Sequence, residues 1–309
     1  MSYESNMLKQ LAMPSRYEVE SALLKALLKH GGTIKEFGAG QEIVDEIANE
    51  FGLGEPQRTA FLQTVYRKEN REKKALLWHR LLFRAADSLS IRKLVSRPSQ
   101  TFKVTNKKEW MLTEKGFKEA LNLTNLPFEN KMNYTTKSFE VQKIANEILQ
   151  SPRPTDYCPI DKEKRVTKVT RASVLRVRGF RHAVIDAYDY ACSICGLKIN
   201  SPDLLLWEVE AAHIVPHRFF GKDDIWNGLA LCRIHHWAFD VGWLTLRPDF
   251  IIEVSPQIRS LQADFGRFGE YEFIRSLYLK KHKIQLPKRI EIHPHPNAIN
   301  WHRQNVFYK

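Results

Sequence analysis

A chain of 309 residues, 43% of them hydrophobic, can bury a sizeable core and is long for one compact domain, so two domains are the starting expectation. No run of about 18 apolar residues occurs, and MSYESNMLKQ has no basic segment leading into an apolar stretch; a soluble, cytoplasmic protein with no membrane partner is expected. The formal charge of +13 points to a polyanionic partner, and 16 Lys/Arg stand against 5 Asp/Glu within residues 56–118, so most of the excess is concentrated there.

In chain order, YEVESALLKALLK (17–29) spaces Val19, Leu23, Ala26 and Leu27 as a helix, which His30-Gly31-Gly32 stops. QEIVDEIANEFG carries Ile43, Val44, Ile47 and Phe51 on one helical face and ends at Gly52. A third helix is predicted from about Lys73 to Leu89, with Leu77, Leu81 and Ala85 or else Leu76, Phe83 and Leu89 inward and Lys73, Lys74, Arg80 and Arg84 outward. RKLVSRPSQTFKVTNKKEWMLT reads as two short strands joined by a polar loop, and Thr113 can cap a last helix to about Leu121. Trp78 and Trp110 are read as core anchors in preference to a base-recognition cage.

Three helices followed by a basic hairpin is the element order of a winged helix. The segments WHRLLFRAADSLSIRKL and EWMLTEKGFKEAL resemble the N-terminal winged-helix domain of Mrr-type restriction proteins, over roughly residues 14–121. The resemblance implies DNA binding, with the third helix in the major groove and the wing, Ser96 to Lys108, along the phosphates. Lys73, Lys74, Arg80, Arg84, Arg97, Lys103 and Lys107 are then the candidate DNA contacts. A helical protein-interaction module with a basic face is the competing reading.

Residues 122–170 hold one helical stretch, SFEVQKIANEILQ, and a Pro-rich charged run, SPRPTDYCPIDKEKR, in which Cys158 reads as a surface thiol. The expected division is a winged helix at 1–123, a linker with one helix at 124–165 and a second domain at 166–309.

In that second domain Cys192 and Cys195 form C-x-x-C, and Cys232 and His235 form C-x-x-H 37 residues after Cys195. Two short-spaced pairs can close on one tetrahedral Zn²⁺ while the segment between them folds outside; a redox C-x-x-C has no need of the second pair. A structural zinc on these four is expected. His236 remains, since adjacent side chains on a helix point about 100° apart. LLLWEVEAAHI reads as a strand with His213 on one face and Glu208, Glu210 and Ala212 on the other. A loop to Asn227-Gly228, a short strand Leu229 to Leu231 and a helix from about Arg233 follow.

With RVRGFRHAVIDAYDYACSICG before it and IQLPKR to HPNAINWHRQNVF after it, this strand-loop-strand-helix resembles the ββα-metal domain of HNH restriction endonucleases. The zinc pairs bracket it as in McrA-like members of that family, and the resemblance covers about residues 165–309. The implied fold class is α+β: an N-terminal winged helix, a helical linker and a C-terminal ββα-metal domain with a structural zinc. The resemblance further implies His213 as general base, Asn227 as the residue that fixes the loop and His236 as a ligand of a catalytic Mg²⁺ or Mn²⁺. Where many such enzymes carry an acidic residue or histidine just before the base, this chain has Ala212. Asp240, four residues after His236 on the same helix face, is the preferred substitute ligand and Glu210 the second. The Mrr likeness implies cleavage of modified double-stranded DNA, N6-methyladenine first and 5-methyl- or hydroxymethylcytosine second. Cutting both strands calls for a homodimer or two encounters. The alternative is a non-catalytic DNA-binding regulator with a degenerate, zinc-stabilised HNH domain.

Overall fold

The computed structural model describes residues 3–35, 37, 41–66, 71–127, 134–161, 171–260 and 282–309. Contacts divide the chain into two units, Met1–Lys131 with Thr136–Glu140, and Met132–Thr135 with Val141–Lys309. Residues 141–161 fall with the second unit.

The first unit runs α1 (Tyr3–Gln10), α2 (Arg16–Lys29), β1 (Thr33–Ile34), α3 (Glu42–Glu50), α4 (Glu55–Thr59), β2 (Phe61–Tyr66), β3 (Arg71–Leu76), α5 (Leu77–Ile91), β4 (Val95–Ser96), α6 (Pro98–Thr105), β5 (Trp110–Leu112) and α7 (Glu114–Leu123). A capping box starts α2: the Glu18 N–H donates to the Ser15 hydroxyl (3.3 Å) and the Ser15 N–H donates to the Glu18 carboxylate (2.7 Å). Its apolar stripe of Val19, Leu23 and Leu27 is buried where α2 packs on α5 and α7, which bring Leu77, Leu81, Phe117 and Leu121. Trp78 sits in this core and donates its indole N–H to the Val44 carbonyl at 3.1 Å. Thr113 caps α7 by accepting from the Gly116 N–H at 3.1 Å.

Two expectations are corrected here. Lys73 and Lys74 do not begin the third helix; they stand in β3, which pairs antiparallel with β2 from Phe61↔Leu76 to Tyr66↔Arg71. β2 reads FLQTVY, rich in the aromatic and β-branched types that favour strands, and Leu76 keeps an extended ψ of 133°, so the helix starts only at Leu77. The wing is not a simple loop either, because α6 fills it. Pro98 fits a first helical turn, the Arg97 N–H donates to the Gln100 side chain (3.1 Å), and Asn106 ends the helix at φ 57°. β5 pairs with both β4 and β1, giving the sheet order β1-β5-β4 and including a strand absent from the sequence reading. Among the basic candidates, Arg80 and Arg84 meet Glu4 of α1 at 3.0 and 2.8 Å and Arg97 meets Asp87 at 2.6 Å. Lys74, Lys103 and Lys107 are exposed.

The second unit holds most of α8 (Phe139–Gln150), then α9 (Arg171–Ala187), β6 (Glu210–His213), β7 (Gly228–Leu231), α10 (Arg233–Asp240), β8 (Leu244–Leu246), β9 (Ile252–Val254) and the C-terminal helix Pro296–Asn305. Ala145 and Ile148 of α8 share one core with Phe180 and Val184 of α9, Leu229 and Leu231 of β7, and Ile299 of the C-terminal helix. Among the described residues no helix is long and apolar enough to cross a membrane.

His302 of the C-terminal helix is buried, stacks on Phe239 at 3.7 Å, and places Nδ1 2.8 Å from Thr245 Oγ1 and Nε2 3.1 Å from the Phe239 carbonyl oxygen. Burial, opposed by the bond to Phe239, pulls its pKa from 6.5 down to about 4. The unfolded chain takes up this proton below 6.5 and the folded chain only near 4, so stability falls with pH across that window, by about 3 kcal/mol, and levels off below it. Urea midpoints taken from pH 7 to 4 should therefore decline less steeply in His302→Gln than in the parent, and equal slopes would remove His302 as the cause.

Candidate active site

β6 and β7 pair antiparallel from Glu210↔Leu231 to His213↔Gly228, and Cys232 leads β7 directly into α10. α9 packs on this hairpin. Phe180 stacks on the His213 ring with centroids 4.1 Å apart, and a Cβ on Gly228, opposite His213, would lie 2.4 Å from Val184 Cγ2. Only glycine lets α9 approach closely enough for Phe180 to hold that ring. The strand is shorter than LLLWEVEAAHI suggests, and Ala212 within it is wholly buried in the core. A carboxylate before His213 would have to be desolvated there, which accounts for the alanine.

Asn227 ties the loop that follows His213. The Val215 N–H donates to its Oδ1 (2.8 Å), its Nδ2 donates to the carbonyls of Val215 (3.1 Å) and Lys222 (2.9 Å), and its own carbonyl accepts from the Ile214 N–H (2.9 Å). This closure delivers a residue that sequence reasoning missed. Asp223, nearly buried, sets Oδ1 2.9 Å from His213 Nε2. The only sequence signal available was an acidic pair, Asp223-Asp224, between the two strands; nothing in its spacing aims it at His213.

On α10, His236 places Nδ1 2.9 Å from Glu210 Oε2 and Nε2 3.4 Å from Asp240 Oδ2. The hydrogen bond with His236, helped by the Arg181 guanidinium, holds the Glu210 carboxyl below the usual range against its burial. Burial instead raises Asp240, against the pull of His236, Arg218 and His213. The two ring nitrogens face apart, so a single ion cannot be shared by His236, Glu210 and Asp240 through one nitrogen. This geometry lets Glu210 orient the ring from Nδ1 while Nε2 and Asp240 face a common point. At the start of α10 the Arg233 N–H donates to Glu208 Oε1 at 3.0 Å, and its guanidinium lies 3.8 Å from Glu210.

The neighbouring histidine turns the other way. Donor atoms of Cys192, Cys195, Cys232 and His235 all lie within 4.8 Å of one another, a cluster that could hold a metal ion. The Cys195–Cys232 sulfurs are 3.9 Å apart and Cys192 Sγ is 3.7 Å from His235 Nδ1. A tetrahedron with Zn–S bonds of about 2.3 Å has edges of about 3.8 Å, so the donor set and its spacing fit zinc. Cys192, Cys232 and His235 are buried and Cys195 is exposed. Hydrogen bonds within the cluster lower the Cys192 thiol and raise that of Cys232, as expected of crowded thiols that share protons where a cation would replace them.

A two-stranded hairpin running into a short helix, with histidines on strand and helix and a Cys₃His cluster beside them, is the ββα arrangement of a metal-dependent nuclease domain. Residues 192–247 match a family model described as HNH endonuclease, and an HNH domain lies there. No curated protein matches the chain. Among solved structures it is similar to one described as a modification dependent TagI restriction endonuclease, at 21% identity with a TM-score of 0.29, covering 41% of this chain and 37% of that one.

Proposed function

We propose that the protein is a metal-dependent endodeoxyribonuclease whose second unit hydrolyses phosphodiester bonds of double-stranded DNA. The observation that carries this is His213, held on three sides by Phe180, Asp223 and the Asn227-tied loop, on the hairpin that leads into the helix carrying His236. With Nε2 directed at Asp223, Nδ1 accepts a proton from water, and the carboxylate balances the imidazolium that forms. Asn227 positions rather than reacts. His236, oriented by Glu210, would hold Mg²⁺ or Mn²⁺ together with Asp240; when bound, such an ion stabilises negative charge on the phosphate and the leaving oxygen. Zn²⁺ on Cys192, Cys195, Cys232 and His235 would fix the start of α10 and hence the direction of His236.

The first unit is read as a winged helix that selects the DNA, supported by helices α2, α3 and α5 around the β1-β5-β4 sheet and by the basic excess of residues 56–118. Modified DNA, N6-methyladenine before modified cytosine, is the proposed target, and a homodimer the proposed route to cutting both strands. Plasmid prepared from an adenine-methylating host, or failing that from a cytosine-methylating one, should be cut in Mg²⁺ or Mn²⁺, plasmid from a non-methylating host should be spared, and all should stay intact without added cation. Binding without cleavage on every substrate would favour the regulator.

A further inference from the structure

Within the first unit Phe37, Phe83 and Trp110 wall a cavity of about 420 Å³, with Asp87, Arg97, Pro98 and Ser99 at its margin. Trp110, 3% exposed, is the floor. The Phe83 ring stands at 80° to it with centroids 5.8 Å apart, and Phe37 lies at 29° and 6.2 Å. Phe83 and Asp87 stand one turn apart on α5, and Phe83 is 55% exposed, unusual for a phenylalanine that a core could have covered. Arg97, just before α6, meets Asp87 at 2.6 Å, so one carboxylate and one guanidinium share the rim.

We infer that this cavity receives a single nucleobase bearing an exocyclic amino group, adenine or cytosine, unstacked from DNA. The inference rests on the reading of DNA as substrate and adds where a modified base is inspected. Its volume falls in the range of small-ligand sites, about 300–1,000 Å³. A planar base stacks on the open face of Phe83 while its edge reaches the rim. There Asp87 accepts an amino N–H and Arg97 donates to the adjacent ring nitrogen, a donor beside an acceptor, as adenine and cytosine present. An N-methylated amine keeps one hydrogen for Asp87 and turns its methyl toward the aromatic wall. An aromatic corner with a carboxylate would also suit a methylated lysine, but a net charge of +11 over residues 56–118 opposes a basic peptide and attracts a polyanion. Lys103 in the last turn of α6 and Lys107 just beyond it are exposed at the end of the helix away from the cavity, where phosphates flanking an extruded base would run. A base inside a duplex cannot enter without leaving the stack, so target mispairing, which lowers that cost, should tighten binding.

The test is binding of the full chain, without divalent cation, to short duplexes that are unmodified or carry one N6-methyladenine or one 5-methylcytosine, each paired or mispaired. The parent should prefer one modified duplex and bind its mispaired form tighter still. Phe83→Ala should lose roughly 5- to 100-fold on that duplex and fall to the unmodified level, while Phe83→Tyr keeps the preference and all three keep the same salt slope. Equal binding of all duplexes by the parent overturns the inference, as does a preference that survives Phe83→Ala. Phe83-dependent binding of a trimethyl-lysine peptide instead of DNA also overturns it. A parent that binds no duplex refutes the DNA reading itself, whereas discrimination independent of Phe83 refutes only the cavity.

Discussion

His213→Ala should cut DNA about 10²- to 10⁴-fold more slowly than the parent, with DNA affinity and its dependence on salt unchanged. The magnitude is what a positioned base contributes, and the separation follows from where the residue lies. His213 is half-buried on β6 under Phe180, with Nε2 turned to Asp223. Asp223→Asn should give a smaller loss, about 10- to 100-fold, because the imidazole keeps its place while the charge that favours its protonated form is gone. A two-member series distinguishes general-base chemistry from loss of fold: both variants should retain zinc and melt close to the parent. If His213→Ala cleaves at the parental rate, the base lies elsewhere and the ββα hairpin is only a scaffold.

What the sequence made legible at this site was whatever is encoded over short range. C-x-x-C and C-x-x-H are short-range spacings, the first in the turn after α9 and the second at the start of α10, and His213, Asn227 and His236 follow in order on β6, just before β7 and on α10. Asp223 was not legible because its direction is set by a loop closure, itself made by three Asn227 side-chain bonds to backbone groups of Val215 and Lys222. The balance between Asp240 and Glu210 was likewise hidden. Helical spacing brings Asp240 to His236, but the cross-strand geometry of β6 and α10 brings Glu210 closer, at 2.9 against 3.4 Å.

In the first unit the helical period located α2, α3 and α7 and most of α5, since each buries one apolar stripe. The errors fell where local chemistry competes with charge pattern. REKKAL looks like an exposed helical turn by its lysines, yet pairing with FLQTVY satisfies its backbone as a strand. The proline of SRPSQ reads as a loop signal, although at a first helical position it starts a helix. Trp110 is buried as the anchor it was read to be and also borders an open cavity.

Removing a zinc ligand should act on folding rather than on chemistry. Cys192 lies in the unit's core, and Ser193 beside it donates its N–H to the Ala230 carbonyl of β7 at 2.8 Å, so the cysteine turn is stitched to the strand that feeds α10. Zinc bound in such a site contributes on the order of 10 kcal/mol to local folding, comparable to the whole stability of a domain. Cys192→Ser is therefore expected to lose stoichiometric zinc, to become sensitive to protease within 192–247, and to lose cleavage as a consequence. A chelator should produce the same three effects in the parent, with zinc restoring the parent but not the variant. His213→Ala, by contrast, should keep its zinc and its protease resistance. A Cys192→Ser protein that is soluble, metal-free and still cuts DNA would show that the cluster is dispensable, and the direction of His236 would then have to come from Glu210 alone.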